Sequence, residues 1–178
     1  SGVALGLLLG VSASLRRIFE FPIEFLRSMP VTAIFPLFLI IFGIGDPSKV
    51  AMAFTPTFLL MTVNTTYGVT LTDPTRRRMA EVFGATRFQI FHKIVAMDAL
   101  PQIFVGLRLS LAQSLIVTVV SEMFIGTAYG LGQRVYDSYL TNSVTTLYAL
   151  LIVLGTVGYT ASRLLVWLES RVVFWTGR

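Results

Sequence analysis

The chain of 178 residues has no cysteine, a single histidine (His92) and only two lysines (Lys49 and Lys93). The lack of cysteine excludes structural disulfides and thiolate metal sites, and one histidine is too few for a nitrogen-rich metal centre. No G-x-x-x-x-G-K-[ST] stretch occurs, so the chain has no phosphate loop of the nucleotide-hydrolysing kind. No Ser/His/Asp constellation is evident either, because the lone histidine falls in a basic amphipathic stretch. Charge is scarce: 13% of residues are charged, about half the usual share of a soluble domain. What fills the chain instead is apolar, 54% of residues, with a mean hydropathy of +0.77. The composition describes an all-α integral membrane protein, one multi-spanning domain over residues 1–178, with no short internal repeat visible.

A spanning helix needs about 20 mainly apolar residues. Five spans are predicted, at about 2–15, 29–44, 49–71, 100–125 and 144–168, with "GDPS" after the second read as a turn. The first run begins at Ser1 with no basic flank and has no small-residue cleavage site. It is therefore not read as a signal peptide, and a further span upstream is expected. Arg16, Arg17, Arg27, Arg76, Arg77, Arg78, Arg87, Lys93, Arg171 and Arg178 fall in one set of alternate connections; Lys49 and Arg134 fall in the other. Ten against two is the phasing that alternating spans require, and it predicts a cytoplasmic residue 72–98 segment and a cytoplasmic C-terminus. The net charge of +5 is accounted for in the same way, so no nucleic-acid partner is expected.

The residue 72–98 segment carries folding signals of its own. Asp73-Pro74 supplies an N-cap and a proline at the first helical position. Met79, Val82 and Phe83 then share one side, and Gly84 suits a left-handed C-terminal cap. Thr86 and Gln89 have capping-box spacing, which predicts a second helix from Thr86 with Phe88, Phe91 and Val95 on one face and Ile94 beside them. A hairpin of two short helices should thus project from the membrane. It would either dock on a partner or lie on the headgroups, as basic amphipathic helices do.

Polar groups within spans are costly and point to function or packing. Ser110, Ser114, Thr118, Ser121 and Glu122 form a stripe on the fourth span, and Asn64, Thr65 and Thr66 are a second group on the third. Glu122 is expected to face inward or an interface, whereas Arg108 points elsewhere and snorkels. The glycines and polar residues of 126–143 predict a re-entrant or surface loop, with Tyr129, Arg134 and Tyr136 as possible contacts for another protein.

The stretch "AEVFGATRFQIFHKIVAMDALPQIFVGLRLSLA", with "SMPVTAIFPLFLIIFGIGDPSKV" upstream and "VVSEMFIGTAYGLG" downstream, resembles the permease subunits of bacterial binding-protein-dependent ABC importers. The likeness is to the nitrate, sulfonate, taurine and bicarbonate branch and runs from about Gly2 to Arg171. It departs from the family's pattern at Arg78 and Met79, and at Ala96-Met97 where the family has Leu-Pro. The resemblance implies a path for a small anion through the bacterial inner membrane. The partners it implies are cytoplasmic ATP-binding subunits, a second permease copy, an extracytoplasmic substrate-binding protein and membrane lipid. On the same basis Ala80, Glu81, Gly84, Ala85, Thr86, Arg87, Phe88 and Phe91 would couple to the ATPase subunit. Asn64, Ser114, Thr118, Ser121 and Glu122 would line the path. No catalytic residue, metal or cofactor is expected in this chain. An ATP-independent channel, a secondary transporter or a membrane scaffold are the alternative readings.

Overall fold

The computed structural model describes residues 1–125 and 129–175. Among them there are helices and no strands. In chain order the helices are α1 (Gly2–Val11), α2 (Ala13–Ser28), α3 (Val31–Phe42), α4 (Asp46–Thr70), α5 (Pro74–Val82) and α6 (Arg87–Ile90). A π turn (Phe91–Val95) follows, then α7 (Ala96–Ile125), α8 (Leu131–Leu140) and α9 (Val144–Val172). The stretch Arg87–Ile125 is one continuous helical rod, and it and α9 are each long and apolar enough to cross a membrane.

Helix α4 is the centre of the assembly and packs most heavily against α7 and α1. Its contact with α1 rests on Gly2, Gly6 and Gly10. A Cβ at these positions would lie 2.8, 2.5 and 2.4 Å from the Cβ atoms of Met61, Thr65 and Val69. Both series advance by four residues in the same sense, so the two helices run parallel. Thr66 closes the contact by donating its hydroxyl to the Gly6 carbonyl at 3.2 Å. In lipid, where apolar surface gains nothing by burial against another helix, such close backbone approach is what holds helices together. On its other side α4 meets α7 in antiparallel register. There Gly106 admits Asn64, Gln102 donates to the Asn64 side-chain oxygen at 3.3 Å, and Ser110 donates to the Thr57 carbonyl at 3.2 Å. Helix α9 packs on α7 and α8.

Several predicted boundaries shift. The first apolar run ends at Val11 rather than residue 15, because Ser12 caps a new helix by accepting the Leu15 amide. That helix, α2, was expected only as a connection. It carries Arg16, Arg17 and Arg27 together with exposed Ile18, Phe21 and Phe25, and it meets α3 at 96° across Met29 and Pro30. The turn assigned to "GDPS" lies earlier, at Gly43–Gly45, where Gly43 has φ 77° and Gly45 φ 148°. Asp46, Pro47 and Ser48 instead open α4, where a proline in the first turn forfeits no hydrogen bond. Arg108 does not snorkel free but pairs with Glu169 of α9 at 3.5 Å. Finally, residues 131–140 are helical rather than loop, while 126–128 of the same expected loop lie outside the described residues.

The glycine contact yields a test. Gly6→Val should destabilise the full-length protein by about 1–3 kcal/mol through overpacking. Gly155→Val should be silent by comparison, since nothing lies within 4 Å of a Cβ there. Thermal unfolding of the detergent-solubilised variants, followed by size exclusion, reads the difference; equal behaviour would mean that the α1–α4 contact is dispensable.

Candidate functional site

The first candidate is the hairpin that joins α4 to α7. Asp73 accepts the Thr75 amide at 2.8 Å and Pro74 opens α5. The helix closes at Gly84, whose φ of 77° is open to glycine and strained for other residues. Thr86 and Gln89 form both bonds of the capping box, the Thr86 amide to Gln89 Oε1 at 2.8 Å and the Gln89 amide to Thr86 Oγ1 at 3.3 Å. Two arginines tie the hairpin to its stems. Arg76 pairs with Asp98, in the first turn of α7, at 2.6 Å, and Arg77 donates to the Val69 carbonyl in the last turn of α4 at 3.0 Å. A cation at a helix C-terminus is favoured by the exposed carbonyls and the dipole.

The surface so fixed is apolar. Met79, Val82, Phe83 and Phe88 are 57–89% exposed. Ala80, Ala85 and Phe91 are half-buried against the cluster of Val69, Ile90, Val95 and Ala99, while Glu81, Thr86 and Arg87 are exposed. A groove of about 500 Å³ runs beside the turn, lined by Ala80, Phe83, Gly84, Gln89 and Lys93 among others. Phe88 is exposed and stacked on His92, but it does not share the face of Phe91 and Val95; Ile90 takes the buried position beside them. The cause is the π turn at Phe91–Val95. One extra residue in that turn rotates everything before it by about 100° relative to α7.

The second candidate lies at the far end of the same two helices. A cleft of about 630 Å³ opens between the start of α4 and the end of α7, and its lining includes Lys49, Phe54, Thr57, Ser114, Thr118 and Glu122. Lys49 pairs with Asp46 at 3.1 Å. Glu122 is half-buried and accepts the Gly132 amide at 2.8 Å, capping the start of α8. A carboxylate is well placed at a helix N-terminus. Bare backbone makes the approach possible: a Cβ at Gly130 would sit 2.6 Å from the Glu122 carboxyl carbon, and one at Gly132 would sit 2.3 Å from the Val119 carbonyl oxygen.

Of the five residues expected along a path, Ser114, Thr118 and Glu122 are thus brought together. Asn64 is taken up by its bonds to Leu60 and Gln102, and Ser121 is fully buried with its hydroxyl donated to the Thr118 carbonyl. Tyr129 is exposed beside the cleft, as is Arg134 on α8, and Tyr136 is half-buried. Lys49 and Asp46 had been read only as parts of a connection and a turn. The signal that could have found them is a charged i,i+3 pair at the head of a polar-striped helix.

The Glu122 cap is directly testable. Glu122→Ala should cost α8 about 1–2 kcal/mol, the usual loss of a cap with its charge. Amide exchange across residues 131–140 should rise accordingly, whereas Glu122→Gln, which keeps an acceptor, should preserve most of the protection. Unchanged exchange in the alanine variant would show that α8 is held by its other contacts.

Comparison with known proteins agrees with the arrangement. Residues 2–174 match the family of binding-protein-dependent transport system inner membrane components. The chain is 31% identical to a nitrate import permease protein, NrtB, of Synechocystis, over 97% of this chain and 62% of that protein. It is 33% identical to a probable ABC transporter permease protein of Brucella abortus, over 99% of this chain and 72% of that protein. With the taurine transport system permease protein TauC of Escherichia coli it shares 30% identity, over 99% of this chain and 64% of that protein. It therefore spans between about three-fifths and three-quarters of these relatives. The match along nearly its whole length, carried on an all-helical apolar fold, makes this chain a member of the binding-protein-dependent ABC importer permease family, an integral component of the inner membrane.

Proposed function

We propose that the chain forms the translocation path of an ATP-driven importer for a small oxyanion and receives its drive from a separate ATP-hydrolysing subunit. The observation that carries this reading is the hairpin: a capped, arginine-braced element that presents Met79, Val82, Phe83 and Phe88 to solvent. A connection that merely reversed the chain would need neither two caps nor exposed aromatics. Exposed apolar clusters with polar surroundings mark docking sites. The basic excess on this side of the alternation supports a cytoplasmic hairpin and C-terminus, where the ATPase subunit would be met. The anion class is supported by the nitrate and bicarbonate named in relatives, and the sulfonate group of taurine is an oxyanion within a zwitterion. In this reading two permease copies enclose the path, an extracytoplasmic binding protein delivers the solute, and ATP-driven closure of the ATPase pair moves the hairpins as rigid bodies.

Gly84→Pro provides the test. Proline fixes φ near −65° and removes the amide that Gly84 donates to Glu81 at 2.9 Å. Full-length permease carrying it should still insert in the membrane but should lose at least about tenfold of the ATPase that co-purifies with wild type, the effect of about 1.4 kcal/mol or more at the docking site. Undiminished association would remove the hairpin from the docking surface.

A further inference from the structure

The two charged residues at the head of α4 are unequal partners. In the Asp46–Lys49 pair the lysine side chain is only 12% exposed, set into the wall of the cleft, while the aspartate is 90% exposed. A carboxylate so fully hydrated holds its partner weakly, because water screens the pair. The ammonium has three donors, of which Asp46 takes one. Lys49 is also the one cation among the described residues lining the cleft. Across from it, on α7, the half-buried hydroxyl of Thr118 makes no hydrogen bond within the described chain, unlike Ser114, which donates to the Leu111 carbonyl, and Thr57, which donates to the Ala53 carbonyl. The other acid of the cleft, Glu122, is engaged by the amide of Gly132 at the start of α8.

We propose that Lys49 is an anion-binding residue of this cleft, that Thr118 assists as a neutral donor, and that Asp46 is the counter-ion an arriving oxyanion displaces. The proposal rests on the anion-importer reading for its ligand class and adds the residues that would receive the ligand. The exchange is inexpensive because Asp46 returns to water it has scarcely left, while the buried ammonium trades one oxygen ligand for another. A charge-assisted bond is stronger than a neutral one, so Lys49 would select for anionic solutes. The volume of about 630 Å³ accommodates a nitrate or a sulfonate with part of its hydration shell. The site lies at the opposite end of α4 and α7 from the hairpin, so it would offer a cationic contact to a solute entering from that side.

The test has two readouts on full-length permease in neutral-lipid nanodiscs or proteoliposomes, so that no anionic headgroup competes. The first is reductive methylation of Lys49, followed by peptide mass spectrometry, in nitrate, methanesulfonate or bicarbonate against gluconate at equal ionic strength. At least one of the three anions should slow methylation by about threefold or more, and Asp46→Asn should increase that protection, consistent with a displaced pair of small energy. The second is ATP-dependent uptake of the same anions by the permease assembled with its ATPase and binding protein. Lys49→Met should lower uptake about tenfold or more, as expected for the loss of a charge-assisted contact. Lys49→Arg should restore most of it, and Asp46→Asn should lower KM by about two- to fivefold. Wild-type uptake by Lys49→Met with unchanged KM, or no protection by any of the anions, would overturn the assignment. Protection without any ATP-driven uptake by wild type would instead support the anion site and defeat the importer reading.

Discussion

The packing of α1 and α7 onto α4 through bare or nearly bare backbone is the constraint on which the rest of the structure depends. A helix in lipid gains little from burying apolar side chains, since the acyl chains offer the same contacts. Association must come from close fit and from hydrogen bonds that lipid cannot supply. Gly2, Gly6 and Gly10 on one side and Gly106 on the other provide the fit, and Thr66, Gln102 and Ser110 provide the bonds. Two polar groups of α4 that suggest a pore, Asn64 and Thr66, are consumed in this packing.

Once α4 and α7 are locked together, their two ends become mechanically related. The hairpin is anchored to the last turn of α4 by Arg77 and to the first turn of α7 by Arg76 and Asp98. The cleft is formed by the opposite ends of the same pair. The rod Arg87–Ile125 has 39 residues and so reaches about 58 Å at 1.5 Å per residue. A push at its hairpin end therefore has a stiff route to Glu122 and the start of α8. Along it lie Pro101, which removes one backbone donor, and the π turn at Phe91–Val95, a form of helix that recurs at functional sites. The π turn lies at the base of the hairpin, where a change in helical register would re-aim Phe88 and the exposed surface while shifting Ile90 and Val95 within their buried cluster.

How much of this was legible beforehand follows from the range of the interactions. The hairpin was read closely, from the Asp73 cap to Gly84 and the Thr86–Gln89 box, because capping is decided by residues two or three apart. Of the five predicted spans, 100–125 and 144–168 correspond to helices long and apolar enough to cross, because a membrane imposes length and hydropathy directly on the sequence. Helix α8 was missed because its start is stabilised by a carboxylate ten residues earlier, on another helix. The break between Phe88 and the face of Phe91 and Val95 was missed because a helical wheel assumes a uniform turn. The spacing of four between Gly2, Gly6 and Gly10 was in plain view, yet its meaning required knowing which helix lies opposite.

The candidate site shows the same division in its chemistry. Residue type alone could not separate Asn64 and Ser121 from Ser114 and Thr118, since all are small polar groups on apolar helices. Hydrogen-bond satisfaction does separate them. A polar group whose bonds are filled by the neighbouring helix has no capacity left for a solute, and in lipid almost every such group is filled. Thr65 keeps an unpartnered hydroxyl too, but it is fully buried against α1 at Gly6; at the far end, where the helices diverge, the hydroxyl of Thr118 and the one cation among the described residues lining the cleft face an open space. A path through such a protein is therefore defined less by how many polar residues its helices carry than by the few that packing has left unspent.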